Sequence, residues 1–375
     1  MIYLDNAATT KPVDGAVQAF LRSADEFGNP SSLHGAGLRA EKLLNSAKDT
    51  ILKKIGANSG KLYFTSGGTE ANNLAILGTA HALKKRGNRV ITSKIEHPSV
   101  LSSFKKLENE GFDVIYADVD GDGRVNVDKF SEYLNGDTIL VSIMHVNNET
   151  GVIQPVSEIA KLIHEKAPNC VFHSDCVQSF GKLPVMPNKL GADMISISAH
   201  KIHGFKGTGA LYTNHSRIIP IFYGGDQQDG IRPGTENMGG ILAFGAAVAE
   251  CSCDDKEMNR KRSLMRDLLQ KNIENIKING SCEYNSGSVL NVSIPGIRAE
   301  ILLHSLERHQ IYISTGSACS SHKPQPSHVL SAMGVSAKDI DGAIRISFCE
   351  YTTDEEIVFA AEKIAEEAAL IRRYV

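Results

Sequence analysis

The chain has 375 residues, of which 42% are apolar and 22% charged, and a formal net charge of −3. That balance describes an ordinary globular protein with room for a substantial core and two or three domains. It excludes a polyelectrolyte built for direct nucleic-acid binding, and no stretch approaches the roughly 20 apolar residues of a membrane-spanning helix.

Residues 1–10 show no basic region followed by an apolar run, so no secretory leader is expected and the cytoplasm is the expected compartment. The seven cysteines, at 170, 176, 251, 253, 282, 319 and 349, form no Cys-x-x-Cys pair. Neither a disulfide framework nor a zinc knuckle is expected, and most of them should be small buried hydrophobes.

In chain order, strands are predicted at 61–65, 89–93, 113–117, 138–143, 170–174, 194–197 and 209–212. Amphipathic helices fall between most of them, at 70–85, 99–110 and 156–166. The alternation reads as α/β with a mostly parallel sheet covered on both faces. From about residue 237 the pattern becomes one long helical stretch to about 271. Strands follow at 288–294, 311–314 and 343–347, with helices at 299–308 and 353–373. This part reads as a smaller α+β domain. Asp118-Val119-Asp120-Gly121-Asp122-Gly123 imitates the start of a calcium-binding EF-hand loop. Its twelfth position is Lys129 rather than a bidentate glutamate, so a solvated turn is expected.

Open α/β sheets bind ligands beyond the carboxyl ends of their strands, and several such ends here carry polar groups. Ser66-Gly67-Gly68-Thr69-Glu70 leads into a helix whose first amides could receive an anion; a glycine turn with Thr69 as N-cap fits equally well. His97 could act catalytically, stacking on a flat cofactor or shuttling a proton, or be a loop histidine beside a helix start. Asn147-Asn148-Glu149 could hydrogen-bond a ring oxygen or a carboxylate, or form an Asx-rich turn. Asp175 ends a buried strand and needs a partner, such as a protonated pyridine nitrogen. The next strand ends at Ser198-Ala199-His200-Lys201, a place for a Schiff-base lysine. The glycine-rich loop 224–235 offers Thr235 to a phosphate or is a flexible surface loop. Cys319 lies among small polar residues ahead of Pro324 and Pro326, which reads as a mobile loop with basic neighbours that favour a thiolate. Arg345 sits between apolar strand residues and requires an anion, either a substrate carboxylate or a structural salt bridge.

Taken together, these segments resemble the cysteine desulfurases, fold-type I pyridoxal-phosphate (PLP) enzymes of the class V aminotransferase group. The resemblance runs from Tyr3-Leu4-Asp5-Asn6-Ala7-Ala8-Thr9-Thr10 through Asn29-Pro30-Ser31-Ser32 and His34 to Thr352, Thr353, Glu355 and Glu356. It implies a large domain over 12–254 with a mostly parallel seven-stranded sheet. A small domain would comprise 1–11 and 255–375 and carry the thiol loop. Lys201 would anchor PLP, Asp175 would pair with its ring nitrogen, Gln178 would donate to its ring hydroxyl, and His97 would stack on the ring. Gly68, Thr69, Ser198 and His200 would hold the phosphate, with Thr235 from the second subunit of a homodimer. Asn148 and Arg345 would clamp the carboxylate of L-cysteine. Cys319 would take the sulfur as a persulfide, releasing alanine. The acceptor would be an iron–sulfur scaffold or a tRNA-thiolation enzyme.

The chain departs from the family pattern at Cys176, His203, Phe205, Asp226, Gln228 and Glu350. Two other PLP readings share the fold, a selenocysteine lyase and an ordinary aminotransferase, and the Cys319 loop argues against the second. The departures at Phe205 and Asp226 also permit a weakly catalytic sulfur carrier or assembly protein.

Overall fold

The computed structural model describes residues 1–252, 254–315 and 326–374. Its strands are, in chain order, β1 (Ile2–Tyr3), β2 (Lys61–Thr65), β3 (Arg89–Ser93), β4 (Asp113–Ala117), β5 (Thr138–Ser142), β6 (Val171–Asp175), β7 (Met194–Ser198), β8 (Gly209–Thr213), β9 (Lys277–Asn279), β10 (Val289–Ser293), β11 (Ile311–Tyr312), β12 (Ser314–Thr315) and β13 (Ala343–Ser347). Strands β2 to β8 form a seven-stranded sheet in the order β2-β8-β7-β6-β5-β3-β4. The run from β7 to β4 is parallel, and β8 lies antiparallel to both β2 and β7. Every residue of β5 to β8 is buried, which explains why these strands read as continuous apolar runs rather than alternating ones. Helices cover both faces. One face packs Leu74, Leu77 and Phe104 against Val90, Leu140 and Met194; the other packs Ile159, Ile163 and Phe244 against Val141, Phe172 and Ile195.

A second core lies around the antiparallel sheet β12-β13-β10-β9, with Leu290, Val292, Ile344 and Ile346 facing Met265, Leu269, Ile357 and Ile364. The helix Asp354–Ile371 behind it begins with a capping box. Thr353 accepts from the Glu356 amide, and the Glu356 carboxylate accepts from the Thr353 amide.

Two expectations are corrected. The stretch from 237 to 271 is two helices, Met238–Glu250 and Asp255–Asn272. The chain leaves helical geometry at Cys251, and Asp254 restarts the helix by accepting from the Glu257 amide. The first helix packs on the large sheet's side, against Asp14–Asp25 and Gly35–Lys54, whereas the second gives Met258, Met265 and Leu269 to the second core. The strand at 311–314 is likewise divided: β11 pairs with β1, and β12 with β13. The segment 118–126 is a turn leading into the helix Val127–Tyr133, with Asp120 accepting from the amides of Asp122 and Arg124, and Asp118 paired with Lys94 and Lys129.

Candidate active site

Strand β7 ends at Ser198, and a single 3₁₀ turn, Ala199–Lys201, carries the chain off the sheet edge. This turn aims the half-buried Lys201 at the N-terminal segment. Its Nζ donates to the carbonyls of Ala7 at 2.5 Å and Ala8 at 2.9 Å. Thr10 fastens the same segment to the turn, since both its amide and its hydroxyl donate to the His200 carbonyl. Beyond these contacts lies a cavity of about 280 Å³ lined by Lys201, Asp175, His97, Ser198, Gly68 and Arg345, among others.

Asp175 ends β6, the parallel neighbour of β7, and is buried. Its carboxylate accepts from the Asn72 amide group at 2.7 Å and from the backbone of Val177 at 2.9 Å. Asn72 also donates to the Ser99 hydroxyl at 2.9 Å, and that hydroxyl lies 2.8 Å from His97 Nδ1. The Ser99 amide donates to the same Nδ1. With two donors converging on it, Nδ1 must be the unprotonated nitrogen, and the neutral ring carries its proton on Nε2. Burial lowers the His97 pKa, Asp175 works against that shift, and Lys201 and His328 add to it.

The glycine turn after β2 forms the cavity's other wall. Gly67 precedes the helix Gly68–Leu83 with φ 156° and ψ −178°, a conformation open only to glycine. A Cβ on Gly68 would lie 2.7 Å from Val177. Thr69 sits inside the first turn, so the expected Thr69 cap is corrected: Gly67 occupies the cap, with no side chain on the helix amides. Ser198 Oγ is buried and has no hydrogen-bond partner among the described residues, and Arg345 Nε and Asn72 Oδ1 share that state. His200 Nδ1 lies 3.2 Å from Thr9 Oγ1, and burial lowers its pKa to about 4.

Arg345, on β13, pairs with Asp5 at 2.8 Å and donates to the Asn148 carbonyl at 3.1 Å. Gln178 donates to the Ala7 carbonyl and accepts from Lys182, which leaves one amide hydrogen for a ligand. Thr235 is exposed and lies outside the cavity's lining in this chain. Its loop is nonetheless fastened down. Gln228 pairs with both the amide and the carbonyl of Phe64 on edge strand β2, and Arg232 pairs with Glu70. Cys319 lies outside the described residues. Of the described cysteines only Cys170 and Cys176 are buried, with Cys251 and Cys349 half-buried and Cys282 exposed, against the expectation that most would be core residues.

Sequence reasoning missed three contributors. Asn72 bridges Asp175 and Ser99; with Thr69, Glu70 and Asn73 beside it on the same helix, nothing in the sequence singled it out. Glu96 is fully buried beneath the His97 turn, accepting from the Met144 amide and the Ser93 hydroxyl. Burial pushes its pKa up to about 8, against those hydrogen bonds. The Ala7 and Ala8 carbonyls, which hold Lys201, lie in a segment that the resemblance marks, but as backbone groups their role had no side-chain signal.

A lysine and a carboxylate at adjacent parallel strand ends, beside a glycine turn with orphaned donors, define an α/β enzyme of the fold-type I architecture. The profile of the aminotransferase class-V family matches residues 2–358. A cysteine desulfurase IscS of Dictyoglomus turgidum (strain DSM 6724 / Z-1310) is 42% identical over 100% of this chain and 96% of its own length. A putative cysteine desulfurase IscS 1 of Bacillus subtilis (strain 168) is 42% identical over 97% of this chain and 98% of its own. Among solved structures, a NifS-like protein superposes with a TM-score of 0.91 at 37% identity, covering 98% of this chain and 99% of that one. A second, described as SspA in complex with cysteine, gives 0.83 at 32% identity, covering 94% and 100%. The chain therefore belongs to the aminotransferase class-V family, among its cysteine desulfurases. Among the described residues, no helix is long and apolar enough to cross a membrane.

Proposed function

We propose that this chain converts L-cysteine to L-alanine with PLP and receives the sulfur on Cys319 as a persulfide. The observation that carries the reading is the shared cavity of Lys201 and Asp175 at adjacent strand ends. The cavity fits the cofactor. The unpartnered Ser198 hydroxyl and the uncapped amides after Gly67 suit a phosphate, and the buried Asp175 carboxylate suits a pyridinium nitrogen. Gly68, Thr69, Ser198 and His200 would hold the phosphate, joined by Thr235 of the second subunit in a homodimer. Gln178 would donate its remaining amide hydrogen to the ring hydroxyl, and His97 would lie against the ring. When bound, PLP supplies an electron sink for carbanionic character on the substrate.

The chain's own groups do the rest. Arg345 and Asn148 hold the substrate carboxylate, which fixes the amino acid's orientation. Lys201 Nζ removes and returns the α-proton. The neutral His97 keeps a proton on Nε2, facing the reacting substrate. The Cys319 thiolate attacks the substrate sulfur; an S–S bond forms, the C–S bond breaks, and its electron pair stays on the substrate carbon, to be protonated as alanine is made. The persulfide then passes to an acceptor protein, an iron–sulfur scaffold or a tRNA-thiolation enzyme. The enzyme works in the cytoplasm, with residues 1–11 and 255–375 forming the domain that carries the thiol loop.

Incubation of the enzyme with L-cysteine, with alanine and the mass of the Cys319 peptide followed together, tests the reading. One added sulfur on that peptide and a matching amount of alanine are expected. Cys319→Ser should keep the PLP absorbance but release no sulfide under a reductant, and Lys201→Ala should lose both. Full sulfide release by Cys319→Ser would reject that thiol as the acceptor.

A further inference from the structure

A second cavity, of about 180 Å³, lies on the other side of Lys201, lined by Lys182, Lys201, His203, Cys251, Cys349 and Glu350 among others. Two of the chain's departures from the family pattern meet here, since His203 Nε2 lies 3.3 Å from a Glu350 carboxylate oxygen. The Cys349 sulfur completes a set of three ligand atoms, all within 4.8 Å of one another. From these contacts we infer that His203, Cys349 and Glu350 form a binding site for a divalent transition metal of the zinc type.

The chemistry and the supporting contacts agree. Zinc favours nitrogen, sulfur and oxygen donors, and three protein ligands with one open position is the pattern of a zinc site that keeps a water or an exchangeable ligand. Bond lengths near 2.0–2.3 Å imply ligand-to-ligand separations of roughly 3.3–3.8 Å in a tetrahedron. The histidine–glutamate pair already has that spacing, and the sulfur needs to close by about 1.5 Å at most. The histidine is oriented for the task. Its Nδ1 lies 2.9 Å from the Lys11 carbonyl, which fixes the proton there and turns the Nε2 lone pair toward Glu350. Tyr351 packs edge-on against the ring at 5.1 Å. The His203 backbone is held at φ 64° by its amide, which donates to Thr10 Oγ1, and by its carbonyl, which accepts from Val13. On the other segment, the buried Lys261 donates to the carbonyls of Cys349 and Glu350 and pins the two ligands' backbone.

Electrostatics permit the ion. A thiolate and a carboxylate neutralise a dication, and Asp254 and Glu257 add negative charge to the cavity wall. Lys182 and Lys201 oppose it from the same wall, although Lys182 also donates to Gln178 and Lys201 to Ala7 and Ala8. Buried His203 and exposed Glu350 place the site at the cavity mouth, where an ion can enter.

The test is a Zn²⁺ titration of chelator-washed, PLP-loaded enzyme by calorimetry, in a Cys319→Ser, Cys251→Ser background that removes the proposed sulfur acceptor and the other thiol lining this cavity. One equivalent per chain is expected. Cys349→Ala and His203→Gln should each weaken binding by at least about tenfold, the loss that even outer-sphere partners typically cause. Cys282→Ser, on the exposed surface, should change nothing. X-ray absorption at the zinc edge of the loaded parent protein needs no further variant to fold, and should show one sulfur with nitrogen and oxygen neighbours. Binding that survives both ligand variants, no stoichiometric binding, or an edge spectrum without sulfur would each overturn the site.

Discussion

Lys201 separates two cavities that are built on different plans. On one side, Asp175, Ser99, His97 and Asn72 form a hydrogen-bonded chain of buried groups, and Ser198 Oγ and the uncapped helix start supply spare donors. That wall is arranged for a ligand bearing an anionic group and a protonatable ring. On the other side, His203, Cys349 and Glu350 offer lone pairs and negative charge, which suit a cation. The contrast teaches that strand ends set where chemistry happens, and that the sign of the groups facing inward sets what can bind. One lysine serves as a wall of both.

The largest effect expected on the first side comes from Asp175→Asn. The substitution keeps the shape but removes the charge that, in the proposed function, would hold a proton on the cofactor ring nitrogen, and desulfuration should then fall roughly 10²–10³-fold, as when an active-site electrostatic partner is removed. Turnover with L-cysteine measures it; activity within threefold of the parent would mean that the first cavity does not rely on this carboxylate. Next comes Arg345→Ala. If Arg345 clamps the substrate carboxylate as proposed, losing that charge-assisted hydrogen bond should raise KM by about 10–100-fold. Because Arg345 also pairs with Asp5, Asp5→Asn is the comparison. If both variants lose stability alike and neither shifts KM, the arginine is only a structural partner.

The smallest expected effect concerns Glu96, buried under the His97 turn, whose pKa rises from 4.5 to about 8. Between those values the folded chain holds a proton that the unfolded chain has released. The contribution of Glu96 to stability is therefore fully present below 4.5 and is lost as pH rises toward 8. Glu96→Gln carries no such penalty, so its stability relative to the parent should increase by about 1.4 kcal/mol per pH unit near neutrality. Urea unfolding of both proteins at pH 6 and pH 7 measures the slope; an unchanged difference would mean that Glu96 is ionised throughout.

The central strands and their polar ends were legible in the sequence because the signals are local. Each buried strand is a short apolar run; Asp175 closes one of them, and Lys201 lies three residues beyond Ser198, the end of the next. Thr353 and Glu356 could likewise be paired by their spacing, and the structure shows them as a helix cap. What escaped depends on distant chain segments. The helix break at 251–254 arises where the chain leaves the first core for the second, and nothing in the hydrophobic period marks it. Ile313 separates two strands only because their partners, β1 and β13, belong to different sheets. The meeting of His203 with Cys349 and Glu350 requires that the end of β13 pack beside the turn after β7.

The N-terminal segment is a mechanical link. The Leu4 carbonyl accepts from the Ser347 amide on β13, Asn6 donates to the Ser347 carbonyl, and the Ala7 amide donates to the Ser347 hydroxyl. One and two peptide units later, the same segment holds the Lys201 amine through Ala7 and Ala8. A displacement of the antiparallel sheet relative to the parallel one is thus transmitted along a few bonds to that nitrogen. Anything that pulls on β13 also tugs at the Lys201 amine.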